Sequence, residues 1–339
     1  TSTLQKVIIR DNDYPTAPSL LTMESMFSNA NKLTELDLSG LDTSAVTTMR
    51  DMFSGCSALE ELDLSHFDTS SVTNMNNMFG SSGKLEKMDV SNFDTSSVTN
   101  MYSMFADCEL LEKLDVSHFD TSSVTDMRAM FNNCQSLEKL DVSNFDTSSV
   151  TNMNSMFSNC PNLGKLEVSN FDTSSVTDMR LMFQNCASLE ALDVSNFDTS
   201  SVTNMSSMFL TCTSLEELDL SNFDTSSVND MRLMFQNCTA LKSLYLDNFT
   251  HAASSADMFT GTTSLSYLFV SHNVSNFNGL ENTNWYDEKN WVQFETLSQL
   301  QTYHRKQSEP TGYRKGAFLS LTMDAMGGEF EDAEEQKVQ

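Results

Sequence analysis

Residues 111–134 read LEKLDVSHFDTSSVTDMRAMFNNC, with apolar side chains at Leu111, Leu114, Val116, Phe119, Val124, Met127, Met130, Phe131 and Cys134. The same pattern returns on either side at a fixed interval. Met-Phe recurs with Phe at 27, 53, 79, 105, 131, 157, 183, 209 and 235, each 26 residues after the last, and once more as Met258-Phe259, 24 residues on. A constant period over most of a chain is the signature of a solenoid, one coil per repeat, because a single unit has no core of its own and buries its apolar face against its neighbours.

Each unit divides in two. Leu111-x-x-Leu114-x-Val116 alternates apolar and polar positions, which predicts a short strand. Asp120-Thr121-Ser122-Ser123 follows, a cluster of turn formers whose side chains bond their own backbone. Val124, Met127, Met130 and Phe131 then fall at helical spacing. They predict one or two helical or 3₁₀ turns, with Ser123 or Thr125 as N-cap. The expected fold is an α/β solenoid: a right-handed stack with a parallel sheet on one face and short helical turns on the other. Strand starts at Leu4, Leu33, Leu59, Leu85, Leu111, Leu137, Leu163, Leu189, Leu215, Leu241 and Leu265 give eleven coils. At a strand spacing of about 4.8 Å the stack spans roughly 50 Å.

The ends differ from the middle, as coils that block open-edge pairing must. Residues 1–32 form an N-terminal capping coil with an insertion that holds Pro15 and Pro18, and residues 33–280 the solenoid. Residues 281–325 are a C-terminal cap with both tryptophans and an expected helix around Val292–Tyr303. Residues 326–339 are an acidic, disordered tail.

Composition narrows the function. The 19 Lys+Arg stand against 47 Asp+Glu, a formal net charge of −28. Nucleic-acid backbones need clustered Lys and Arg, so nucleic acid is not an expected partner. Anionic membrane surfaces are disfavoured equally, and no apolar run is long enough to span a bilayer. The 281–339 segment holds 6 basic and 11 acidic residues and 1–32 is neutral, so the solenoid itself is the polyanion. No nucleophile elbow, zinc-protease helix motif, P-loop or dinucleotide fingerprint occurs. The expectation is a protein that is not an enzyme and takes no cofactor or metal.

A solenoid turns positions into columns. Cys56, Cys108, Cys134, Cys160, Cys186, Cys212 and Cys238 each lie three residues after the repeat Phe, with Ala30 and Ser82 in the same column. Their side chains point the same way, their number is odd and no CxxC pair or histidine joins them. They are expected to be reduced, buried thiols. Asp42, Asp68, Asp94, Asp120, Asp146, Asp172, Asp198 and Asp224 open the DTS turns and are expected to cap backbone N–H groups. His66 and His118, two coils apart, are too distant to share a metal and are expected to be exposed.

The strand face carries the candidate site. Asp37, Asp63, Asp89, Asp115, Asp141, Glu167, Asp193 and Asp219 form one outward column. Lys87, Lys113, Lys139 and Lys165 sit in the next, flanked by Glu35, Glu61, Ala191 and Glu217. The lysines are expected to pair with the aspartates. Stacked carboxylates raise each other's pKa, so the face is expected to discharge partly between about pH 4 and 6, strengthening adhesion to anionic mucus in acid. Trp285, Tyr286 and Trp291 are a candidate carbohydrate platform or a plug that closes the last coil.

The unit LDVSNFDTSSVTNMNSMF at 140–157 resembles the repeat of BspA-like leucine-rich-repeat surface proteins of Gram-positive gut and oral bacteria and of mycoplasmas. Strand, FDTS turn and MF segment recur in order over about 33–270. The resemblance implies an extracellular protein of the bacterial surface that adheres to host mucus, extracellular matrix or other cells. It implies no catalytic residues. No LPxTG-type sorting motif or leader is present, so the expected signal peptide and wall anchor lie outside these residues. A monomer is expected, with end-to-end association of coils as an alternative. Two rival readings are a non-binding stalk and an ice- or crystal-binding ladder built from Thr69, Thr95, Thr121, Thr147, Thr173, Thr199 and Thr225.

Overall fold

A computed structural model describes residues 3–9, 21–250 and 254–317. The acidic tail, residues 318–325 of the expected cap, and Pro15 and Pro18 lie outside these. The described chain is a β-solenoid of about ten turns. Short parallel strands run along it in separate stretches: β1 (Lys6–Ile8) on β2 (Glu35–Asp37), β3 (Glu61–Leu62) on β4 (Lys87–Met88), then single parallel bridges Lys113–Lys139–Lys165. After a break at Ala191 come β5 (Glu217–Asp219), β6 (Ser243–Leu246) and β7 (Tyr267–Val270). A second parallel ladder, one residue per coil, passes through Thr22, Thr48, Asn74, Asn100, Asp126, Asn152, Asp178, Asn204 and Asp230.

The strands are short because the sequence turns the chain at once. In Asp115-Val116-Ser117, the Ser117 N–H and hydroxyl both donate to the Asp115 carboxylate, at 3.0 and 2.6 Å, which bends the backbone out of the strand. The core lies between the two ladders. Phe27, Phe53, Phe79, Phe105, Phe131, Phe157, Phe183, Phe209, Phe235 and Phe259 stack with ring centroids 5.6–6.1 Å apart. All but Phe27 (8%) are fully buried, and each such burial contributes about 1.5–3 kcal/mol.

The expected helical turns over 124–131 are not helical. The segment is a run of overlapping β-turns: Met130 N–H bonds Met127 O at 3.2 Å, Asn132 N–H bonds Ala129 O at 3.1 Å and Cys134 N–H bonds Phe131 O at 3.4 Å. The alternate amides point along the stack. Met127, Ala129, Phe131 and Asn133 donate to carbonyls of the next coil at 3.4, 2.8, 3.0 and 2.8 Å. This geometry needs a left-handed residue twice per coil, here Ala129 (φ 52°) and Asn133 (φ 61°). Among the described residues, every non-glycine residue with positive φ except Trp291 belongs to this series. An isolated helix of two turns is marginal in water. Bonding half of the amides to the neighbouring coil satisfies them and fixes the register, so the solenoid wins over the local spacing.

The C-terminal cap changes the topology. β8 (Trp285–Asp287) and β9 (Val292–Phe294) form an antiparallel hairpin, α1 (Leu297–His304) follows, and β10 (Thr311–Lys315) inserts antiparallel between β7 and β8. The resulting order is β5-β6-β7-β10-β8-β9. The helix starts later than expected because Val292–Phe294 pairs with β8. Thr296 and Gln299 then form a reciprocal capping box that sets its first turn. Pairing β7 with an antiparallel strand blocks addition of a further parallel coil there.

Candidate functional site

The outward side chains of the strand ladder line a trough along the solenoid. One section, of about 900 Å³, is bounded by Glu35, Glu61, Asp63, Lys87, Asp89 and Lys113. The next, of about 1000 Å³, continues from Lys113 through Asp115, Lys139, Asp141, Lys165 and Glu167. Within the two columns read from sequence, Asp37 is half-buried and the other residues are exposed. A third column, Glu60, Glu86, Glu112 and Glu138, also lines the trough. It was legible as the residue after each opening leucine. Asp193 and Asp219 belong to the same column but lie beyond the trough's two sections.

Two expectations about this face are corrected. Lys87, Lys113 and Lys139 make no ion pair with the aspartate column; Lys165 alone pairs across, with Glu167 of its own coil at 3.0 Å. The lysines stack on one another in register, as the bridges Lys113–Lys139–Lys165 show. The aspartates have other partners: Ser39, Ser65, Ser91, Ser117, Ser143, Ser195 and Ser221 donate backbone N–H groups to Asp37, Asp63, Asp89, Asp115, Asp141, Asp193 and Asp219 at 2.9–3.1 Å. These bonds hold Asp63, Asp89, Asp115, Asp141 and Asp193 below the ordinary carboxylate pKa. The like-charge neighbour that raises the pKa, such as Asp115 beside Asp141, is the weaker influence. The expected discharge between pH 4 and 6 is therefore overturned. Those five aspartates keep their charge through that range.

The remaining columns are internal engineering. Each cysteine Sγ donates to the carbonyl of the Phe 29 residues earlier, as Cys134 does to Phe105 at 3.2 Å, and Ser82 makes the same bond to Phe53 at 2.8 Å. The thiols are free and buried, and burial pushes Cys56 up to about 11 and Cys108, Cys160 and Cys238 up to about 12. Asp120 accepts from the Ser122 N–H and hydroxyl at 3.0 and 2.6 Å, the turn-capping role expected of its column. The Thr69-to-Thr225 column is not a surface ladder. These threonines are at most 1% exposed, and Thr121 Oγ1 donates to Asp146 O at 2.8 Å. A different threonine column is exposed, Thr47, Thr73, Thr99, Thr125, Thr151, Thr177 and Thr203. Thr125 there donates to the Thr99 carbonyl of the preceding coil at 3.2 Å. His66 and His118 are exposed, and His118 Nε2 reaches the Val90 carbonyl at 3.0 Å.

In the cap the two tryptophans have opposite fates. Trp285 is fully buried, with Nε1 donating to Glu281 O at 3.4 Å. Trp291 is 66% exposed and lies parallel to the Tyr286 ring, 6.2 Å away at 9°. The chain reverses between them around Asp287, a fully buried carboxylate with four donors. The Lys289 and Asn290 N–H groups reach one oxygen at 2.8 and 2.9 Å; Asn290 Nδ2 and the Tyr303 hydroxyl reach the other, both at 2.8 Å. Burial alone would raise the Asp287 pKa, and the donors outweigh it and lower it. His304, buried on α1, is a core residue that the sequence did not flag. Its Nε2 donates to Ser271 O at 3.1 Å, so Nδ1 accepts the Tyr313 hydroxyl at 2.9 Å. Burial lowers its pKa.

A stack of near-identical coils, with a polar strand face and outward side chains repeated in register, defines a repeat solenoid of the BspA-like type. The chain belongs to the family described as "Mycoplasma protein of unknown function, DUF285", whose model matches residues 21–114, 84–165, 105–191 and 163–273. Among solved structures, a leucine-rich repeat protein from Bacteroides ovatus is similar at 19% identity and a TM-score of 0.41, covering 80% of this chain. The match takes in 62% of that protein's length. No curated protein matches. No described helix is long and apolar enough to cross a membrane.

Proposed function

We propose that the protein is a non-catalytic adhesion module of a bacterial surface, and that the strand-face trough from Glu35 to Glu167 is its contact surface. The observation that supports this is the trough itself. Two sections of about 900 and 1000 Å³ are joined at Lys113 and present the same carboxylates and lysines coil after coil. Such a surface binds through many weak contacts that act together. The excess of carboxylates, among them aspartates held ionised by their serine donors, favours a basic stretch of a host matrix protein or of another cell's surface. It disfavours sialylated or sulfated mucus glycans, which carry the same sign.

The test is binding of the purified protein to immobilised fibronectin, mucin and a polycation, with a triple variant Asp89→Asn, Asp115→Asn and Asp141→Asn. Asparagine still accepts the serine bonds, so the turns persist and only charge is lost. Saturable, salt-sensitive binding to a basic ligand that weakens in the triple variant supports the proposal. Absence of binding to every ligand moves the reading to a stalk that holds other domains away from the wall.

A further inference from the structure

The geometry points to a second binding site, on the outward face of the cap, for an uncharged polysaccharide. Its first element is the Trp291–Tyr286 pair. The two rings are stacked in parallel, Tyr286 half-buried and Trp291 exposed, so the indole backed by the phenol presents a flat apolar surface of the kind that packs against the C–H face of a pyranose. The pair is held in place at some cost. Trp291 is a bulky residue at φ 56°, outside the series of turns that needs positive φ elsewhere in the molecule. A left-handed conformation is uncommon for such a residue and persists only where its surroundings over-determine it. Here they do. Trp291 N–H bonds Asp287 O at 2.9 Å, and the Asp287 carboxylate anchors the intervening Lys289 and Asn290.

The second element is a polar cavity of about 330 Å³ on the same outward face, walled by Glu288, Lys289, Asn290, Gln307 and Glu309, with Phe269 beneath. This is the lower end of the usual ligand-pocket range. Register places the two elements together. Arg314 pairs with Tyr286 on one side and with Tyr267 on the other, so all three side chains leave the same face of the sheet. Arg314 lies over the Tyr267 ring at 4.6 Å and donates to Glu288 at 2.8 Å, while the Tyr267 hydroxyl donates to the other Glu288 oxygen at 2.9 Å. Gly312 makes room for this, since a Cβ there would lie 2.3 Å from Glu288 Oε1.

Charge selects the ligand class. Glu288 is answered by Arg314, and Lys289 stands with Glu309 at the cavity wall, so the patch is balanced where the solenoid face is strongly acidic. Paired rings, hydrogen-bonding groups of both kinds and no net charge fit a neutral sugar better than a sulfated or sialylated one.

The test uses the full chain, with soluble mannan, galactan and dextran as neutral probes and heparin as the charged one, followed by titration calorimetry and tryptophan fluorescence. Because Trp285 is buried and Trp291 exposed, an emission shift reports on Trp291. At least one neutral polymer is expected to bind and to blue-shift the emission. Trp291→Ala and Tyr286→Ala are expected to weaken that binding about tenfold or more. Trp291→Tyr should restore part of it, and thermal midpoints check folding. In the wild-type chain the bound polymer should also protect Trp291 from oxidation by N-bromosuccinimide, which keeps the test valid if a variant misfolds. Failure of all three neutral polymers, binding unchanged in Trp291→Ala, or unprotected Trp291 would overturn the proposal. Neutral-polymer binding that survives the Asp89, Asp115 and Asp141 triple variant separates this site from the strand-face reading.

Discussion

The coils and the cap solve the same problem in opposite ways. In the coils a bond is made once and copied: Cys134 to Phe105 repeats as Cys160 to Phe131 at 3.1 Å and Cys186 to Phe157 at 3.2 Å. In the cap each buried polar group is unique, and Asp287 alone gathers four donors. A copied interaction spreads its importance over many coils; a unique one concentrates it. The difference separates the effects of mutation, of pH and of ligand.

The largest effect should come from interrupting the stack. Phe131 lies 5.7 and 5.8 Å from Phe105 and Phe157 and is fully buried. Phe131→Ala should cost about 3–5 kcal/mol and split one unfolding transition into two, because each coil touches only its neighbours. Calorimetry would show it. Next is Asp287→Ala, which leaves buried donors without an acceptor. A loss of about 2–3 kcal/mol, confined to the cap, is expected from denaturant unfolding followed by Trp emission, with the coils unchanged by circular dichroism.

The two regions should also part on acidification. His304 has a lowered folded pKa, so the unfolded cap binds the proton first. Its contribution is complete above about 6.5 and is lost as the pH falls below that. The strand aspartates also have lowered pKa values, so their contribution is complete down to the ordinary carboxylate value of 3.8 and is lost only as the pH falls below it. Amide exchange at pH 7, 5.5 and 4.5 should therefore show the cap opening first, and His304→Phe should move the cap's acid transition downward. Simultaneous loss of both regions would contradict this. The smallest effect is at the cysteine column. Cys134→Ser should be nearly neutral, since Ser82 already makes that bond, and Cys134→Ala should lose about 1 kcal/mol.

The repeated half of the molecule was the more legible. Period, buried columns and the capping aspartates all follow from spacing, because each position is read many times over. The helix expected at 124–131 misled because spacing alone does not say which way the amides point. A hint lay in the Asn, Asp and Ser residues at positions such as Ser103 and Asp107, which tolerate left-handed backbone. The pKa direction of the strand aspartates was also in the sequence, in the serine two residues on, and was missed by weighing only charge against charge. The Thr121 column looked exposed beside its aspartate, yet its hydroxyl serves the Asp146 carbonyl within the stack. In the cap the sequence left plug and platform unseparated for Trp285, Tyr286 and Trp291, and the contacts of His304 span from Ser271 to Tyr313, which no local pattern announces.

The measurement that tests the strand face most directly is carbodiimide footprinting of carboxylates, with and without a bound basic partner. The molecule supplies its own control, since it holds two stacked aspartate columns, both exposed, on different faces of the coils. The account predicts protection of Asp63, Asp89, Asp115 and Asp141 and unchanged labelling of Asp68, Asp94, Asp120 and Asp146. Equal protection of both columns, or protection of the turn column alone, would contradict it.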